Sequence, residues 1–197
     1  MIFDKFLETV TSVIPLSKED KEYIKTIVTF KKLDKKSFLL KQGDIEEYYY
    51  FVISGCLRSY IIDTKGTEQV IQFSPSGWWL ADNESIIFKA PAKFNIEAVF
   101  DAEVFMLSRS NMQKSVERRP ELLNYYADSL ERSLVFLRNR LYEILNMTAE
   151  QRYLNFCERF PELVETVPQK YIASYIGVTP EFFSALKRKL RGNLLLS

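Results

Sequence analysis

The sequence predicts an α+β chain: an antiparallel β-roll with flanking helices, then a long helix, then a compact group of short helices. Three observations predict it. Between residue 31 and about residue 107, short aromatic and β-branched runs alternate with turn signals. From 123 to 144, aliphatic residues recur at alternating spacings of four and three. Over 167–190, two short apolar-periodic stretches are separated by Gly177.

Residues 1–30 read as helical, with Phe3, Phe6, Leu7 and Val10 at helical spacing. Ser17, followed three residues later by Asp20, has the form of a capping box. It opens a helix carrying Tyr23, Ile24, Ile27 and Val28 on one face. Strands are expected at 38–40, 48–53, 57–62, 68–73, 94–98 and 102–107. Gln42-Gly43-Asp44, Ser54-Gly55, Asp63-Thr64-Lys65-Gly66 and Pro75-Ser76-Gly77 separate them as turns. Strands this short and evenly spaced suggest an antiparallel barrel or jelly roll, with an open sandwich as the alternative.

Residues 110–144 are helical again, with a break at Arg119-Pro120, because the residue before proline avoids the helix. Beyond the break, Leu123, Ala127, Leu130, Leu134, Leu137, Leu141 and Ile144 form a seam over three heptads. Glu131, Arg132, Arg138 and Arg140 lie off it. The plainer reading is a long helix packed on its own domain. The strictness of the seam favours pairing with a second copy of the same helix, as a homodimer. Thr148 with Gln151 is a second capping box and restarts a helix over 149–160.

In the C-terminal stretch, Ile172, Ala173 and Ile176 give one helix an apolar face. Gly177 sits where that helix must stop, since glycine takes the left-handed conformation at little cost. Thr179 is a good N-cap and Pro180 suits the first helical position. Phe182, Phe183, Leu186 and Leu190 are the expected buried face of the second helix. Lys187, Arg188, Lys189 and Arg191 place four positive charges in five positions at its end. One helix to brace, one to enter a major groove, and cations for phosphates are what a DNA-binding helix-turn-helix needs. The plainer reading is a helical hairpin with a solvated basic end. Three parts are expected: residues 1–118, a β-roll sensor with flanking helices; 119–146, a dimerising helix; and 147–197, the helix-turn-helix.

Composition narrows the chemistry. A chain of 197 residues that is 47% hydrophobic can bury a real core as one large domain or two small ones. Net charge is +1, so any case for nucleic acid rests on the local basic patch. There is no run of 18 apolar residues and no basic-then-apolar start, so the expectation is a cytoplasmic chain without a membrane partner. Two distant cysteines, Cys56 and Cys157, fit reduced thiols, though the sequence leaves a disulfide open. The chain has no histidine. That removes Ser-His-Asp and Cys-His nucleophile systems, HExxH zinc sites and His-ligated haem. No Walker A or GxGxxG loop is present. No enzyme, metal or cofactor is expected.

The order of β-roll, long helix and helix-turn-helix resembles the Crp–Fnr family of bacterial transcription regulators over nearly the whole chain. Lys41-Gln42-Gly43-Asp44 followed by Tyr50-Phe51-Val52-Ile53-Ser54-Gly55 is similar to the opening of the family's sensor domain. Residues 63–69 with Gly66 resemble its hairpin, and Pro75-Ser76-Gly77 its "pG" turn. Residues 169–190 resemble its "Q…IAxxLGxT…S" DNA-binding helices. The resemblance implies a jelly-roll, cyclic-nucleotide-binding-like sensor domain. It also implies a homodimer on a near-palindromic DNA duplex. RNA polymerase and an unidentified small-molecule effector are further candidate partners.

Two departures qualify it. Family members that bind cyclic nucleotides carry a phosphate cassette after the "pG" turn, with a Gly-Glu pair and a later Arg. Here Trp78 and Trp79 occupy the region of the Gly-Glu pair, and Lys93 lies near the place of the Arg. A lysine cannot form the bidentate fork, so tight binding of cyclic AMP is not expected. Tyr60, Phe73, Gly77, Trp78, Trp79 and Lys93 are the candidate pocket, to be weighed against simple filling of the barrel. Iron–sulfur members of the family need four cysteines and haem members usually a histidine, so neither cofactor is expected. In the second departure, Ser184-Ala185 stands where many relatives have Ser-Arg. Base reading then falls to Glu181, Ser184, Lys187 and Arg188, with Thr179 and Lys170 on phosphates. Lys189 and Arg191 add affinity without specificity. Glu181 has a plainer role, complementing its helix N-terminus. The competing function is a β-roll ligand- or partner-binding protein that has lost sequence-specific DNA binding. An enzyme on a cupin-like barrel is disfavoured by the absence of histidine.

Overall fold

A computed structural model describes residues 2–194, with side chains described as far as Leu190. The chain divides into two compact units: residues 1–61 with 72–133, and 62–71 with 134–197.

The first unit opens with α1 (Ile2–Thr11) and α2 (Lys18–Ile27). The Ser17 side chain accepts from the Asp20 N–H at 3.1 Å, and the Ser17 N–H donates to the Asp20 carboxylate at 2.8 Å, so the capping box is formed. Eight strands follow, β1 (Val28–Leu33), β2 (Phe38–Leu40), β3 (Tyr48–Ser54), β4 (Cys56–Ile62), β5 (Glu68–Pro75), β6 (Trp79–Leu80), β7 (Asn95–Ala98) and β8 (Ala102–Ser108). They build two four-stranded sheets, ordered β1-β8-β3-β6 and β2-β7-β4-β5. The fold is the expected α+β class with an antiparallel β-roll. One helix, α3 (Asn83–Phe88), interrupts the strands between β6 and β7. Asp82 caps it by accepting from the Ser85 N–H at 3.1 Å. Neither β6 nor α3 was expected from the sequence, because each is too short to show a period.

One expected helix ends early. Helix α2 stops at Ile27, and Val28 begins β1, which pairs with β8 from Val28↔Leu107 to Leu33↔Ala102. Residues 28–30 are β-branched or aromatic, and pairing with a strand some seventy positions away decides their conformation over the local helical spacing.

The sheet β1-β8-β3-β6 is covered on both faces. Tyr50, Val52 and Val104 pack with Leu33, Leu57, Ile96 and Ala98 between the two sheets. Phe51, Ile53, Phe105 and Leu107 pack outward on Phe6, Val10, Ile24 and Ile27 of the helices. Phe6 meets Phe51 at 4.9 Å and Phe3 stacks on Phe105 at 4.4 Å between ring centroids. Two-sided burial explains why β3 reads as a continuous apolar run rather than an alternating one. Helix α4 (Arg109–Arg118) follows β8. After the break at Arg119, where φ is −141° and ψ is 93°, α5 runs over Leu122–Asn146.

The second unit holds the tip of the β4–β5 hairpin, the rest of α5, α6 (Ala149–Arg159), a 3-10 turn at Pro161–Leu163, α7 (Gln169–Ile176) and α8 (Pro180–Leu194). Thr148 and Gln151 form the expected capping box. Phe156, Phe160, Ile172, Tyr175, Ile176 and Phe183 are buried. Arg140, which reads from sequence as a surface charge off the seam, is 7% exposed. Its guanidinium donates to the Val70 carbonyl at 3.1 Å and the Tyr175 carbonyl at 2.6 Å, and lies 3.5 Å from the Tyr175 ring centroid. Ser174 adds a second tie to the hairpin tip: its hydroxyl donates to the Glu68 carbonyl at 2.7 Å and accepts from the Val70 N–H at 2.9 Å. Cys56 and Cys157 are both thiols.

Two stability outcomes follow from this packing. Gly55 has φ +79°, and a Cβ there would lie 2.4 Å from the Asp101 carbonyl oxygen. Gly55→Ala is expected to cost more than about 2 kcal/mol in denaturant unfolding. Arg140→Ala strands two buried carbonyls and is expected to cost about 2–3 kcal/mol. Hydrogen exchange at Val70 should accelerate in that variant while the N–H groups of β3 stay protected.

Candidate nucleic-acid interface

Helices α7 and α8 are joined as a helix-turn-helix requires. Gly177 caps α7 in the left-handed region at φ 74°. Two residues on, the Thr179 hydroxyl oxygen accepts from the Phe182 N–H at 3.2 Å, capping α8. Phe183 and Leu186 then point into the second unit, and Leu190 is half-buried. Phe182 does not join them. Expected on the buried face, it is 54% exposed. Neighbouring helical positions point about 100° apart, and with Phe183 and Leu186 turned to the core Phe182 falls on the outer side.

The outward face of α8 therefore carries Glu181, Phe182, Ser184, Ala185, Arg188 and Lys189, all exposed. Each polar group on it has a definable state. The Glu181 backbone N–H and the Thr179 hydroxyl hold the Glu181 carboxyl below its usual range. The Ser184 hydroxyl donates to the Pro180 carbonyl at 2.9 Å, which leaves its lone pairs outward. Half-buried Lys187 donates to Gln169 at 2.9 Å. That bond brings the first turn of α7, with exposed Lys170, beside the middle of α8. Lys189, which is exposed, pairs with half-buried Glu150 at 3.1 Å. Arg188 has no acidic partner among the described residues. Arg191, an expected phosphate contact, lies outside the described side chains. The structure thus gathers Lys170, Thr179, Glu181, Ser184, Lys187, Arg188 and Lys189 on adjoining turns of two helices. Phe182 joins them as a residue that sequence reasoning assigned to the core.

Helix α5 has two unlike faces. Leu122, Tyr125, Phe136, Arg140 and Glu143 are buried. Leu123, Ala127, Leu130, Leu134, Leu137, Leu141 and Ile144 are all exposed, with Leu130 at 59% and Leu137 at 45%. Val135, Tyr142 and Leu145 widen the exposed apolar stripe. A stripe of this length on an isolated chain marks a contact surface.

A cavity of about 320 Å³ lies in the first unit, bounded by α1, the turn before β6, and α5. Gly77, Trp78 and Trp79 line it as expected residues; Tyr125, Ser129 and Arg132 of α5 and Thr9 of α1 complete it and were not foreseen. Tyr60, Phe73 and Lys93 do not line it. Tyr60 and Phe73 are interior residues of β4 and β5, at 4% and 0% exposure. Tyr60 lies under the Arg58 guanidinium at 4.0 Å. Lys93 sits in solvent, its ammonium 2.7 Å from the Glu84 carboxylate. Among the described residues no cluster of acids or thiols has the geometry of a metal site.

Comparison with known proteins places these features together. The Cyclic nucleotide-binding domain family matches residues 30–119. The nitrogen fixation regulation protein FixK of Rhizobium meliloti is 29% identical over 165 residues, 79% of this chain and 72% of that one. FixK of Bradyrhizobium diazoefficiens is 24% identical over 163 residues, 77% of this chain and 67% of that one. Among solved structures, FixK2 of Bradyrhizobium japonicum superimposes with a TM-score of 0.71 at 20% identity, covering 85% of this chain and 86% of its own. The c-di-GMP-responsive regulator CLP of Xanthomonas campestris gives 0.74 at 14% identity, covering 90% and 93%. These two share the fold through the β-roll, the long helix and the C-terminal helices. With a cyclic nucleotide-binding-type β-roll, a capped helix-turn-helix and regulators among the proteins it matches, the chain is similar to the Crp–Fnr family of transcription regulators.

Proposed function

We propose that the chain regulates transcription in the cytoplasm as a homodimer that binds a near-palindromic DNA site through α8. The observation that carries this reading is the outward face of α8, where Glu181, Phe182, Ala185 and Arg188 stand clear of the core on a helix braced by α7. Its apolar part replaces the arginine that many relatives use. Phe182 and Ala185 suit thymine methyl groups in the major groove. Ser184 accepts from an exocyclic amine, and Glu181 either does the same or stays with its own helix N-terminus. Lys170, Thr179, Lys187, Arg188, Lys189 and Arg191 serve phosphates or base edges. In this division residues 1–118 sense or scaffold, 119–146 pair the subunits and 147–197 read DNA. RNA polymerase is the partner that a DNA-bound regulator meets at a promoter. Cyclic AMP has no expected place, since Lys93 is already committed to Glu84.

Pairing through the α5 seam sets two α8 helices about one duplex turn apart. Replacing Leu134 and Leu137 together with Asp should convert a dimer into a well-folded monomer by light scattering. Affinity for a symmetric site should fall at least about tenfold through loss of the linked second contact.

Selection from randomised duplexes at near-physiological salt tests the DNA reading itself. A two-fold symmetric site is the expected product; absence of any enriched site favours the ligand- or partner-binding alternative. On the selected site, exchanging thymine for uracil removes only the methyl group. That exchange and Phe182→Ala should each cost about 1–2 kcal/mol, and combining them should cost no more than either alone. Lys189→Ala should weaken all sequences alike and flatten the salt dependence, whereas Glu181→Ala should change base preference. Identical profiles for the three variants would refute this division of roles.

A further inference from the structure

The cavity beside α5 has a composition that selects a ligand. We propose that it binds a small planar aromatic acid bearing a hydrogen-bond donor on its ring. About 320 Å³ is at the small end of ligand sites and holds one or two rings. Trp78 and Trp79 with Tyr125 supply flat walls for stacking. Two of those walls are fixed before any ligand arrives: the Trp79 indole N–H donates to the Tyr125 hydroxyl at 3.0 Å, and Thr9 shares a hydrogen bond with the same hydroxyl at 3.0 Å. The cavity serines are committed in one direction. Ser129 donates to the Tyr125 carbonyl at 2.9 Å and Ser133 to the Ser129 carbonyl at 3.0 Å. Their hydrogens are spent on the helix backbone, so they offer only lone pairs, and a ligand must bring the donor.

The charged end of the ligand follows from Arg132. Its Nε lies 2.8 Å from Asp128, its side chain is 75% exposed, and both residues line the cavity. One edge of the guanidinium is taken; the remaining N–H groups at the rim suit a carboxylate. Five of the lining residues, Tyr125, Asp128, Ser129, Arg132 and Ser133, belong to α5. The helix that grips the ligand is also the helix that carries the exposed seam, so the site would act as an effector site, a role that rests on the dimeric-regulator reading above.

The chain has two tryptophans, and both line the cavity, so intrinsic fluorescence reports on it directly. Full-length protein without DNA is titrated with 4-hydroxybenzoate and 4-hydroxycinnamate, with methyl 4-hydroxybenzoate and 4-methoxybenzoate as controls, by fluorescence and calorimetry. The expected result is saturable quenching by at least one hydroxy acid with a Kd below about 1 mM. The ester and the methoxy acid should bind at least about tenfold more weakly. Arg132→Ala, a change at an exposed position, should bring the acid down to the affinity of its ester. Absence of saturable quenching by either hydroxy acid overturns the proposal, as does an Arg132→Ala variant that binds the acid unchanged. Because no DNA is present, failure here leaves the DNA reading intact, and failure of the DNA reading leaves this result standing.

Discussion

Everything distinctive about this molecule depends on one constraint: a single helix must satisfy two unlike environments along its length. Helix α5 buries Leu122, Tyr125, Phe136, Arg140 and Glu143, yet leaves Leu123, Leu130, Leu134, Leu137, Leu141 and Ile144 outside. The inner set mixes aromatic rings with charge, and the charges are matched. Glu143 takes Arg159 at 2.5 Å, and Arg140 takes two backbone carbonyls. A buried charge is tolerable only with such partners. The outer set has nothing but methyl groups to offer. Fully burying one leucine contributes about 1.5–3 kcal/mol, so a second copy of the helix is the natural cover for this row.

On the proposed reading, the same helix would link a ligand beside the β-roll to the DNA-binding helices. Arg140 and Ser174 bind the hairpin tip, α5 and α7 of the second unit to one another through Val70, Glu68 and Tyr175. Helix α7, on which α8 packs, is therefore held by more than its own helical neighbours. Such bracing matters because a base contact tolerates little displacement of the side chain that makes it.

Local chemistry was legible in the sequence wherever a short segment decides its own conformation. The capping boxes at Ser17 and Thr148, the left-handed Gly177, the Thr179-Pro180 start and the break before Pro120 all hold in the structure. What was not legible depended on distant partners. Val28 continues the apolar spacing of Ile24 and Ile27, and only β8 turns it into a strand. Phe182 and Phe183 are chemically alike, and the orientation of α8 on its core chooses between them. Arg140 looks like any off-seam arginine until Tyr175 is folded over it. Of the cavity, the two tryptophans could be suspected, but Tyr125 and Arg132 lie about fifty residues away on a helix whose polar positions carry no signature.

If the chain binds DNA as proposed, its modest charge makes pairing a requirement for affinity rather than an ornament of it. Net charge is +1, so long-range attraction to a duplex is weak. Each helix-turn-helix offers only a handful of cations, among them Lys170, Lys187, Arg188 and Lys189. Phosphate contacts are therefore few, and an isolated unit should bind no better than an ordinary non-specific site, about 10⁻⁴–10⁻⁶ M at physiological salt. Two units held by the α5 seam change the arithmetic. Once one is bound, the other searches its half-site at a millimolar effective concentration, and the modest contacts multiply. With little help from phosphates, discrimination must come from the groove-facing side chains. On the proposed reading those are Phe182, Ala185, Ser184 and Glu181, a set suited to shape and methyl groups more than to guanine edges.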